Sequence, residues 1–595
     1  MELEVTPDGA TATITAAQYV LRVDVPDSTA TLCDREGRTW SRLSLLASLD
    51  RTDGVDESYA VEPARIETTT DRAEHVIVIE VAAASSAWRE KRVRMRCFED
   101  RVELQAEVVG SGLLAGATLL GGRAVLRTGA CGPFFSSTGF ASVFVPTPTE
   151  PVQVVRPASA AAVLGVIGDA APGRLHAVFS PPPLCLGFGR AAAGSGTDIP
   201  SGEWLFASVV AGIDRLTFTE LRYEPVDGGF RIALDYDGHT EVDGLFTTPA
   251  LVLRPAADPW QGLADYRADV VARGLAPAGP AHPPAPWWRE PIFCGWGAQC
   301  ARAAIGGQAS APELARQAEY DEWLAHLAEH ELVPGTIVLD DRWQAAYGAV
   351  EPDPAHWPDL KAWIARRHEQ GQRVLLWWKA WDADGLPAEE CVLDPAGTPV
   401  AVDPGNPAYR ARLTRIVNDL LGADGLDADG FKVDFTQRGP AGRMLRRPGA
   451  EPGAPWGIAA LHQLLATIVA AAKAAKPDAL VVTHTPHPSF ADVTDMIRLN
   501  DVLERDPSGA RVPVADQLRF RHAVATAVLP EHPIDTDQWP MPDRAQWREY
   551  VTAQAGLGVP ALYYAEAIDG SREPLTAEDL ALVGRTWAQY RTSLV

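Results

Sequence analysis

The sequence predicts a multidomain protein of class α/β plus β, in which an N-terminal antiparallel β-sandwich precedes a (β/α)8 barrel. Three observations support this prediction. The chain has 595 residues, several times the length of a typical domain. Apolar and polar residues alternate through most of the first 255 residues. After residue 290, short apolar runs instead alternate with longer segments of helical period.

Alternation in the first part is typical of half-buried antiparallel strands. Between residues 102 and 108 every second residue is apolar and the residues between are Glu or Gln. Similar runs recur as YVLRVDV, HVIVIEV, RVRMRCF and RIALDYD, and turn clusters such as PDGA, DREG and VDGG separate them. Residues 1–255 are therefore predicted to form the sandwich.

A helix and a proline-rich connector are predicted to follow the sandwich. The run WQGLADYRADVVARGL has helical character, and the run APAGPAHPPAP at residues 276–286 has too many prolines for a helix or a sheet interior. We assign residues 256–287 to this helix and linker, and residues 288–595 to the barrel.

Eight apolar runs after residue 290 predict the barrel strands. They are PIFCGWG (291–297), TIVLDDRW (336–343), VLLWWKAW (374–381), DGFKVDF (429–435), LVVTHTP (480–486), MIRLNDV (496–502), HPIDTDQW (532–539) and ALYYAEA (561–567). Amphipathic segments stand between most of them, and eight strands in a segment of this length fit a (β/α)8 barrel. The fifth crossover is the shortest.

Charge and composition exclude several classes of partner. The protein carries 53 Lys and Arg against 78 Asp and Glu, so its formal net charge is -25. Such a surface repels nucleic-acid phosphates and anionic membranes, and we expect no apolar run to approach the ~18 residues of a membrane span. We expect neither nucleic acid nor membrane as a partner, and the sequence leaves homo-oligomer formation open.

The cysteines and the N-terminal segment predict a cytoplasmic location. Seven cysteines are scattered without C-x-x-C spacing, which favours reduced thiols over a disulfide framework. The start, MELEVTPDGATATI, has acidic residues where an export signal has a basic stretch and an apolar core.

Polar residues cluster at the carboxyl ends of the predicted strands, where barrel enzymes carry their chemistry. They are Asp340 and Asp341 after the second strand, Lys432 and Asp434 in the fourth, Arg498, Asn500 and Asp501 in the sixth, Asp535 and Asp537 in the seventh, and Glu566 in the eighth. The alternative interpretation is solvated loop acids, since the chain has 78 acidic residues.

The FKVDF run is the most specific of these signals. Strand alternation puts Lys432 and Asp434 on one face, and we expect them to form an ion pair that faces the barrel interior. One interpretation is a structural buried pair; the other is a carboxylate kept ionised for use as a nucleophile. Asp501, two strands onward, is the candidate for the second carboxyl of a glycosidase pair.

Tryptophans favour a sugar site at the same strand ends. Ten of the 18 lie between residues 287 and 381. Their apolar faces suit the C–H face of a pyranose, although core packing is the alternative for several. Those at or near the predicted strand ends are Trp296, Trp343, Trp377, Trp378, Trp381 and Trp539. Alternation must turn either Trp377 or Trp378 outward.

The order IFCGWG, IVLDDRWQ, HWPDLKAWIARRHEQGQRVLLWW, DGFKVDF and IRLND resembles glycoside hydrolase clan D, the retaining α-glycosidases of families 27, 31 and 36, and family 36 α-galactosidases in particular. The resemblance implies a sandwich followed by a catalytic barrel, a terminal α-linked sugar in an oligosaccharide or glycoside as substrate, and no cofactor or metal. It implies that Asp434 is the nucleophile and Asp501 the acid/base.

The predicted substrate-binding residues come from the resemblance and from position at the strand ends. The resemblance implies that Lys432, Asp340 and Asp341 bind sugar hydroxyls and that Trp296 and Arg498 line the same subsite. Strand-end position adds Trp343, Trp378, Lys379, His484 and Asp537.

The sequence departs from the clan pattern in three places. The sequence has K-V-D where these families commonly have K-W-D, and it lacks their usual S-D-D near Asp501. An end at Val595 would leave no room for the C-terminal β-domain that these families commonly carry. Glu504 and Asp506 are therefore alternative acid/base residues. The rival functions are a catalytically inactive sugar-binding barrel and a metal-dependent barrel hydrolase that uses His484 and His487.

Overall fold

A computed structural model describes residues 1–71, 74–125, 131–133, 137–146, 154–155, 162–166, 179–190, 202–226, 229–307, 309–502 and 513–594. It confirms the predicted architecture of an antiparallel sandwich followed by a (β/α)8 barrel.

Within its described residues, the sandwich contains two sheets. One has six strands: Glu2–Val5, Thr11–Thr15, Val20–Asp24, Thr29–Cys33, Thr39–Ser44 and Ser137–Thr138. The other has sixteen: Ser48–Arg51, Glu57–Tyr59, Arg65–Asp71, Glu74–Ser85, Glu90–Cys97, Val102–Leu119, Arg123–Val125, Cys131–Pro133, Ser142–Phe144, Val154–Val155, Ala162–Gly165, Cys185–Gly189, Trp204–Val210, Glu220–Val226, Gly229–Thr247 and Ala250–Ala256. The alternating residues of Glu90–Cys97 are buried on one face, as the sequence pattern predicts.

The barrel has eight parallel strands, here called β1 to β8. They are Ile292–Cys294 (β1), Thr336–Leu339 (β2), Arg373–Lys379 (β3), Gly430–Asp434 (β4), Leu480–Thr483 (β5), Met496–Arg498 (β6), Ile534–Asp535 (β7) and Ala561–Leu562 (β8). Neighbouring strands pair in sequence order, and β8 pairs with β1. A bridge between Asp535 and Val559 joins β7 to the chain that enters β8, so the barrel is nearly closed.

Nine α-helices are present among the described residues. They are Pro259–Ala272 (α1), Trp296–Gly306 (α2), Gln317–Glu329 (α3), Leu360–Glu369 (α4), Pro407–Leu421 (α5), Gly457–Ala475 (α6), Val514–Val528 (α7), Arg544–Gln554 (α8) and Ala577–Ser593 (α9). Short 3₁₀ helices lie at Ile213–Arg215, Pro286–Arg289, Ala311–Leu314, Ala388–Glu390 and Pro488–Phe490, and two hairpins pair Gln344–Ala346 with Glu351–Pro352 and Cys391–Leu393 with Pro399–Val402.

All eight barrel strands were predicted, but most are shorter than their apolar runs. The chain turns into α2 at Trp296, and β7 and β8 have two residues each. The short fifth crossover holds only the 3₁₀ helix Pro488–Phe490 within its described residues.

Helix α6 corrects the expectation that no apolar run is long enough to span a membrane. Among the described residues it is the one helix that is long and apolar enough, by length and composition alone, to cross a membrane. The mean hydropathy over an 18-residue window of the helix is 1.5. More than half of that window is buried in the protein, and the helix packs against α5. Its apolar composition therefore fits a core helix of the barrel.

The sandwich and the barrel share a polar and aromatic interface. The carbonyl oxygen of Phe218 accepts a bond from the N–H of Ile458 in α6 at 3.1 Å, and Tyr266 of α1 bonds to His487 at 2.9 Å. Phe520 of α7 contacts Trp260 edge to face. The sandwich and α1 thus lie against the side of the barrel formed by the segments that follow β4, β5 and β6.

Candidate active site

Strand β4 brings the central carboxylate into the barrel mouth. Phe431 and Val433 are buried on the outer face, and Lys432 and Asp434 point inward. Because parallel partners share a face, the pairing of Trp377 with Lys432 and of Lys379 with Asp434 also turns these β3 side chains inward.

Asp434 is held by three donors. Its Oδ1 accepts bonds from Arg498 Nη2 and from the N–H of Phe435, each at 2.8 Å, and its Oδ2 accepts one from the indole N–H of Trp377 at 3.1 Å. Burial alone would raise the pKa of Asp434, but the positive charges of Arg498 and Lys432 outweigh it and hold the pKa well below its usual range. The carboxylate is therefore ionised.

The expected ion pair between Lys432 and Asp434 is wrong. Lys432 instead contacts Asp340 at the end of β2, across the barrel interior, with 2.7 Å between Nζ and Oδ2, and both side chains are buried. Residues two apart on one strand are separated by about 6.6 Å, whereas inward-facing side chains of alternate strands meet inside a barrel. Burial opposes the charge on Lys432, but Asp340 outweighs it and raises the pKa of the ammonium.

Asp341 lies beside this buried pair and is less enclosed. Its Oδ1 accepts a bond from the hydroxyl of Tyr347 at 2.7 Å. Burial and the negative charge of Asp340 raise the pKa of Asp341 to about 6. The hydrogen bond from Tyr347 and the positive charge of Lys379 lower this pKa but do not outweigh them. Lys379 lies 4.2 Å from the ring centroid of Tyr347 and pairs with Asp382 at 2.6 Å, so it lies beside Asp341, and substrate binding by Lys379 stays a prediction.

Arg498 connects three carboxyl groups at the barrel mouth. The guanidinium is buried and donates to Asp434 at 2.8 Å, to Asp537 at 2.7 Å and to Asp501 at 3.3 Å. The bonds to Asp434 and Asp501 leave from different Nη atoms of one planar group. Arg498 therefore sets the spacing between the two carboxyls predicted to be catalytic.

The two predicted catalytic carboxyls lie in opposite electrostatic environments. Half of the Asp501 side-chain surface is exposed at the mouth. Nevertheless, desolvation by the surrounding protein and the negative charges of Asp434 and Asp537 raise the pKa of Asp501 to about 7, against the charge of Arg498. The alternatives Glu504 and Asp506 lie outside the described residues.

Asp537 was predicted to bind substrate, and the structure gives it another position. The side chain is completely buried, its Oδ2 pairs with Arg498, and its Oδ1 accepts bonds from the N–H groups of Gln538 and Trp539. Since its lone pairs are directed at protein donors, Asp537 anchors Arg498 rather than facing the mouth.

Two predicted sugar-binding tryptophans are core residues. Trp343 is fully buried and donates its indole N–H to the carbonyl of Trp377 at 2.8 Å. Trp378 points to the outer face of β3 and contacts Phe431 edge to face at 5.2 Å. The inward residue is Trp377, and only the register of β3 against β4 reveals this.

Trp296 remains at the rim of the mouth. It is the first residue of α2, it is half-buried, and its ring meets that of Trp539 edge to face at 5.7 Å. Tyr347 and Cys294 were missed by the sequence reasoning. The Cys294 thiol, at the end of β1, lies 3.1 Å from Asp340, and its place in the first predicted strand was the available signal.

The two histidines after β5 have protein partners on both ring nitrogens. His484 contacts Thr436 and Asn500, and His487 contacts the Tyr266 hydroxyl and the N–H of Ser489. They do not converge on a common point as metal ligands do. Within the described ranges, the one cluster of acidic or histidine side chains with ligand-like spacing is Asp34, Glu36 and Glu203 on the sandwich.

A cavity lies beside the carboxyl ends of β3 and β4, and its lining does not include Asp340, Asp341, Asp434 or Asp501. It has a volume of about 510 Å³ and is lined by Lys379, Trp381, Asp382, Phe435 and Arg438, among others. A larger cavity of about 660 Å³ is lined by residues of the sandwich and α1, so it is not part of this site. The site thus combines an ionised carboxylate with a carboxyl of raised pKa, the pair of groups that glycoside hydrolysis requires.

The comparisons with known proteins agree with this fold. No protein-family model and no curated protein matches the sequence. Among solved structures, the chain is similar to the α-galactosidase from Lactobacillus brevis, with 11% identity over 99% of this chain and 84% of that one and a TM-score of 0.53. A family 36 α-galactosidase from Geobacillus stearothermophilus has 12% identity, coverages of 100% and 86% and a TM-score of 0.52. The α-galactosidase from Thermus thermophilus in complex with stachyose has 16% identity, coverages of 88% and 99% and a TM-score of 0.51.

Proposed function

We propose that the protein is a retaining α-glycosidase that removes a terminal α-linked, galactose-like sugar by double displacement. The observation that carries the proposal is the Arg498 bridge between an ionised carboxylate, Asp434, and a carboxyl whose pKa is raised, Asp501. Two carboxyls at the ends of β4 and β6, with opposite protonation states and one guanidinium between them, suit a nucleophile and a general acid.

In the first step, an Asp434 oxygen attacks the anomeric carbon and the glycosidic C–O bond breaks. Asp501 donates its proton to the departing oxygen, so the leaving group departs as an alcohol. The product is a glycosyl ester on Asp434. Arg498 and the N–H of Phe435 hold the attacking carboxylate in one orientation throughout.

In the second step, Asp501 is an ionised base and removes a proton from a water molecule. That water attacks the anomeric carbon and the ester bond to Asp434 breaks. Two inversions give a product with the starting anomeric configuration. Asp340, Asp341 and Lys432 would bind the sugar hydroxyls beside this carbon, because they provide both acceptors and a donor within one cluster.

The structural neighbours support a galactoside as the sugar. One is an α-galactosidase in complex with stachyose, one is in complex with raffinose, and one is in complex with p-nitrophenyl α-D-galactopyranoside. We therefore propose an oligosaccharide or aryl α-galactoside as substrate. A cytoplasmic location is part of the proposal and is supported by the free thiols of Cys33, Cys97, Cys185, Cys294, Cys300 and Cys391.

The test measures hydrolysis of a panel of p-nitrophenyl α-glycosides by the wild-type protein and by Asp434→Asn. We expect turnover of the galactoside, release of the α-anomer first in proton NMR, and a loss of roughly a thousandfold or more in kcat for Asp434→Asn. Near-normal turnover by that variant, or a β-anomer as first product, would contradict the proposal. Binding of galactosides without turnover by the wild type would support the inactive sugar-binding barrel.

A further inference from the structure

A buried chain of hydrogen bonds runs from the sandwich to the nucleophile. The Oγ1 of Thr436 lies 2.9 Å from the carbonyl oxygen of Ser180 and 2.8 Å from Nε2 of His484. The side-chain nitrogen of Asn500 lies 2.8 Å from Nδ1 of the same imidazole. His484 Nε2 is 3.9 Å from Oδ1 of Asp434. Ser180 belongs to the sandwich, and the other four residues belong to three neighbouring strand ends of the barrel.

These contacts favour one arrangement of the protons. The Ser180 carbonyl can only accept, so the Thr436 hydroxyl gives its single hydrogen to it. That hydroxyl must then accept from His484, which places the imidazole proton on Nε2. Nδ1 is left as an acceptor, and the Asn500 amide nitrogen is placed to donate to it. In the opposite tautomer Nε2 carries no proton, and the single Thr436 hydrogen can serve only one of its two neighbours. Either Nε2 at 2.8 Å or the Ser180 carbonyl at 2.9 Å would then face the hydroxyl oxygen without a proton between them. That tautomer would gain only the longer bond from the Thr436 N–H to Nε2, at 3.3 Å.

The chain is also enclosed enough to hold this arrangement. Ser180, Thr436 and His484 have no exposed surface, and Asn500 is 4% exposed. In a buried environment an unmatched donor or acceptor is costly, so the tautomer that makes the bonds of 2.8 and 2.9 Å is favoured over the one that makes the bond from the Thr436 N–H at 3.3 Å. The N-terminal sandwich supplies the carbonyl on which that state depends, and a second bond from the Ser180 N–H to the His484 carbonyl, at 3.0 Å, ties the two segments together.

We propose that the sandwich completes the active site, because the Ser180 carbonyl, acting through the Thr436 hydroxyl, fixes the orientation and tautomer of His484 beside Asp434. His484 and Thr436 are thus positioning residues: neither is placed to bond to the reacting atoms, and both act through the nucleophile. The imidazole N–H edge contributes positive potential at Asp434 Oδ1, which agrees with the low pKa of that carboxyl. The inference rests on the proposed function in taking Asp434 as the nucleophile.

The kinetic test compares Thr436→Val, which removes the hydroxyl, with Thr436→Ser, which keeps it. We expect Thr436→Val to lower kcat about tenfold, the change that corresponds to one buried hydrogen bond, and to leave KM nearly unchanged, because the substrate does not contact this residue. Thr436→Ser should be close to the wild type. Thr219→Val is the matched control, since Thr219 has a buried hydroxyl in the sandwich that bonds to Asp235 and Asp237. Equal activity of the Val and Ser variants would overturn the proposal.

The spectroscopic test needs no turnover and therefore separates this inference from the proposed function. In protein labelled with ¹⁵N-histidine, the His484 signals, assigned by their loss in His484→Gln, should show a protonated Nε2 and an unprotonated Nδ1. In Thr436→Val they should shift towards a mixture of tautomers. Thr436→Ala replaces Thr436→Val if the latter does not fold. A proton on Nδ1 in the wild type, or an unchanged His484 spectrum in the hydroxyl-free variant, would overturn the inference even in an active enzyme.

Discussion

At the scale of single residues, Arg498 is the group on which the site depends. One guanidinium lowers the pKa of Asp434, opposes the raised pKa of Asp501 and is itself held by Asp537. A buried arginine stays charged, so the same positive charge acts on both candidate catalytic carboxyls. They differ in protonation because they differ in distance from the guanidinium, in exposure and in their other hydrogen-bond donors. The bonds to Asp434 and Asp537 are short, while the bond to Asp501 is longer.

This arrangement predicts the pH dependence of kcat/KM. Asp501 must carry a proton in the free enzyme, and its pKa is raised to about 7, so activity should be full below that value and fall as the pH rises through it. Asp434 stays ionised far into the acid range. The Asp501→Ala variant should be assayed with a substrate whose leaving group needs no protonation. Its pH profile should lack the basic limb, and its time course should show a burst. Azide should restore turnover and give a glycosyl azide of retained configuration.

The controls for this prediction are Glu504→Ala and Asp506→Ala, assayed with the same substrates. Both should keep the basic limb near pH 7 and respond weakly to azide. If either control shows the burst and the azide rescue while Asp501→Ala behaves as the wild type, the acid/base has been assigned to the wrong residue.

The buried pair of Asp340 and Lys432 gives a second prediction at this scale. Asp340→Ala leaves an ammonium buried without its carboxylate, which should cost about 3 to 5 kcal/mol in the free energy of unfolding and also lower kcat/KM. Asp56→Ala is the matched control, because it breaks the equally buried pair with Lys91 in the sandwich. Urea unfolding and steady-state kinetics should show similar destabilisation in both variants and a catalytic loss only in Asp340→Ala. Normal kcat/KM in a folded Asp340→Ala protein would contradict this prediction and would mean that the pair of Asp340 and Lys432 is purely structural.

At the scale of elements, β3 shows how alternation divides two adjacent tryptophans. Trp377 should matter for activity and Trp378 for stability, because Trp377 donates to Asp434 and Trp378 packs on Phe431. Trp377→Phe should lower kcat/KM about tenfold by removing one donor to a charged acceptor, and Trp378→Phe should keep kcat/KM while lowering the free energy of unfolding by about 1 kcal/mol. Steady-state kinetics and urea unfolding check both variants, and the reverse pattern would mean that the β3 register is shifted by one residue.

The elements were largely predictable from the sequence, and their side-chain partners were not. Eight apolar runs identified eight strands because burial of a strand leaves a periodic signal along the chain. Alternation also put Lys432 and Asp434 on one face correctly. It could not show that their ion-pair partners, Asp340 and Arg498, come from other strands, since contacts across a sheet depend on register. For the same reason it could not decide which tryptophan of β3 faces inward.

At the scale of the whole molecule, the sandwich and the barrel are joined where α6 begins. The N–H groups of Ile458 and Ala459, in its first turn, donate to the carbonyls of Phe218 and Leu216 in the sandwich at 3.1 and 2.9 Å. The sandwich thus accepts two of the amide bonds that a helix N-terminus cannot make internally. The first residue of the helix, Gly457, has a φ of +57° and lies against the same sandwich segment.

This junction predicts how the two parts unfold. A Cβ on Gly457 would lie 2.1 Å from the carbonyl oxygen of Phe218, whereas a Cβ on Gly453, at φ +72°, would have no atom within 4 Å. Both Gly453→Ala and Gly457→Ala carry the strain of a left-handed backbone, about 1 to 2 kcal/mol, but only Gly457→Ala forces the sandwich away from α6. In calorimetry we expect one cooperative transition for the wild type and for Gly453→Ala, and an earlier, divided transition for Gly457→Ala. Because the Ser180 carbonyl moves with the sandwich, Gly457→Ala should also lower kcat. Superimposable thermograms and equal kcat for the two alanine variants would mean that the sandwich contributes neither to the stability of the barrel nor to its active site.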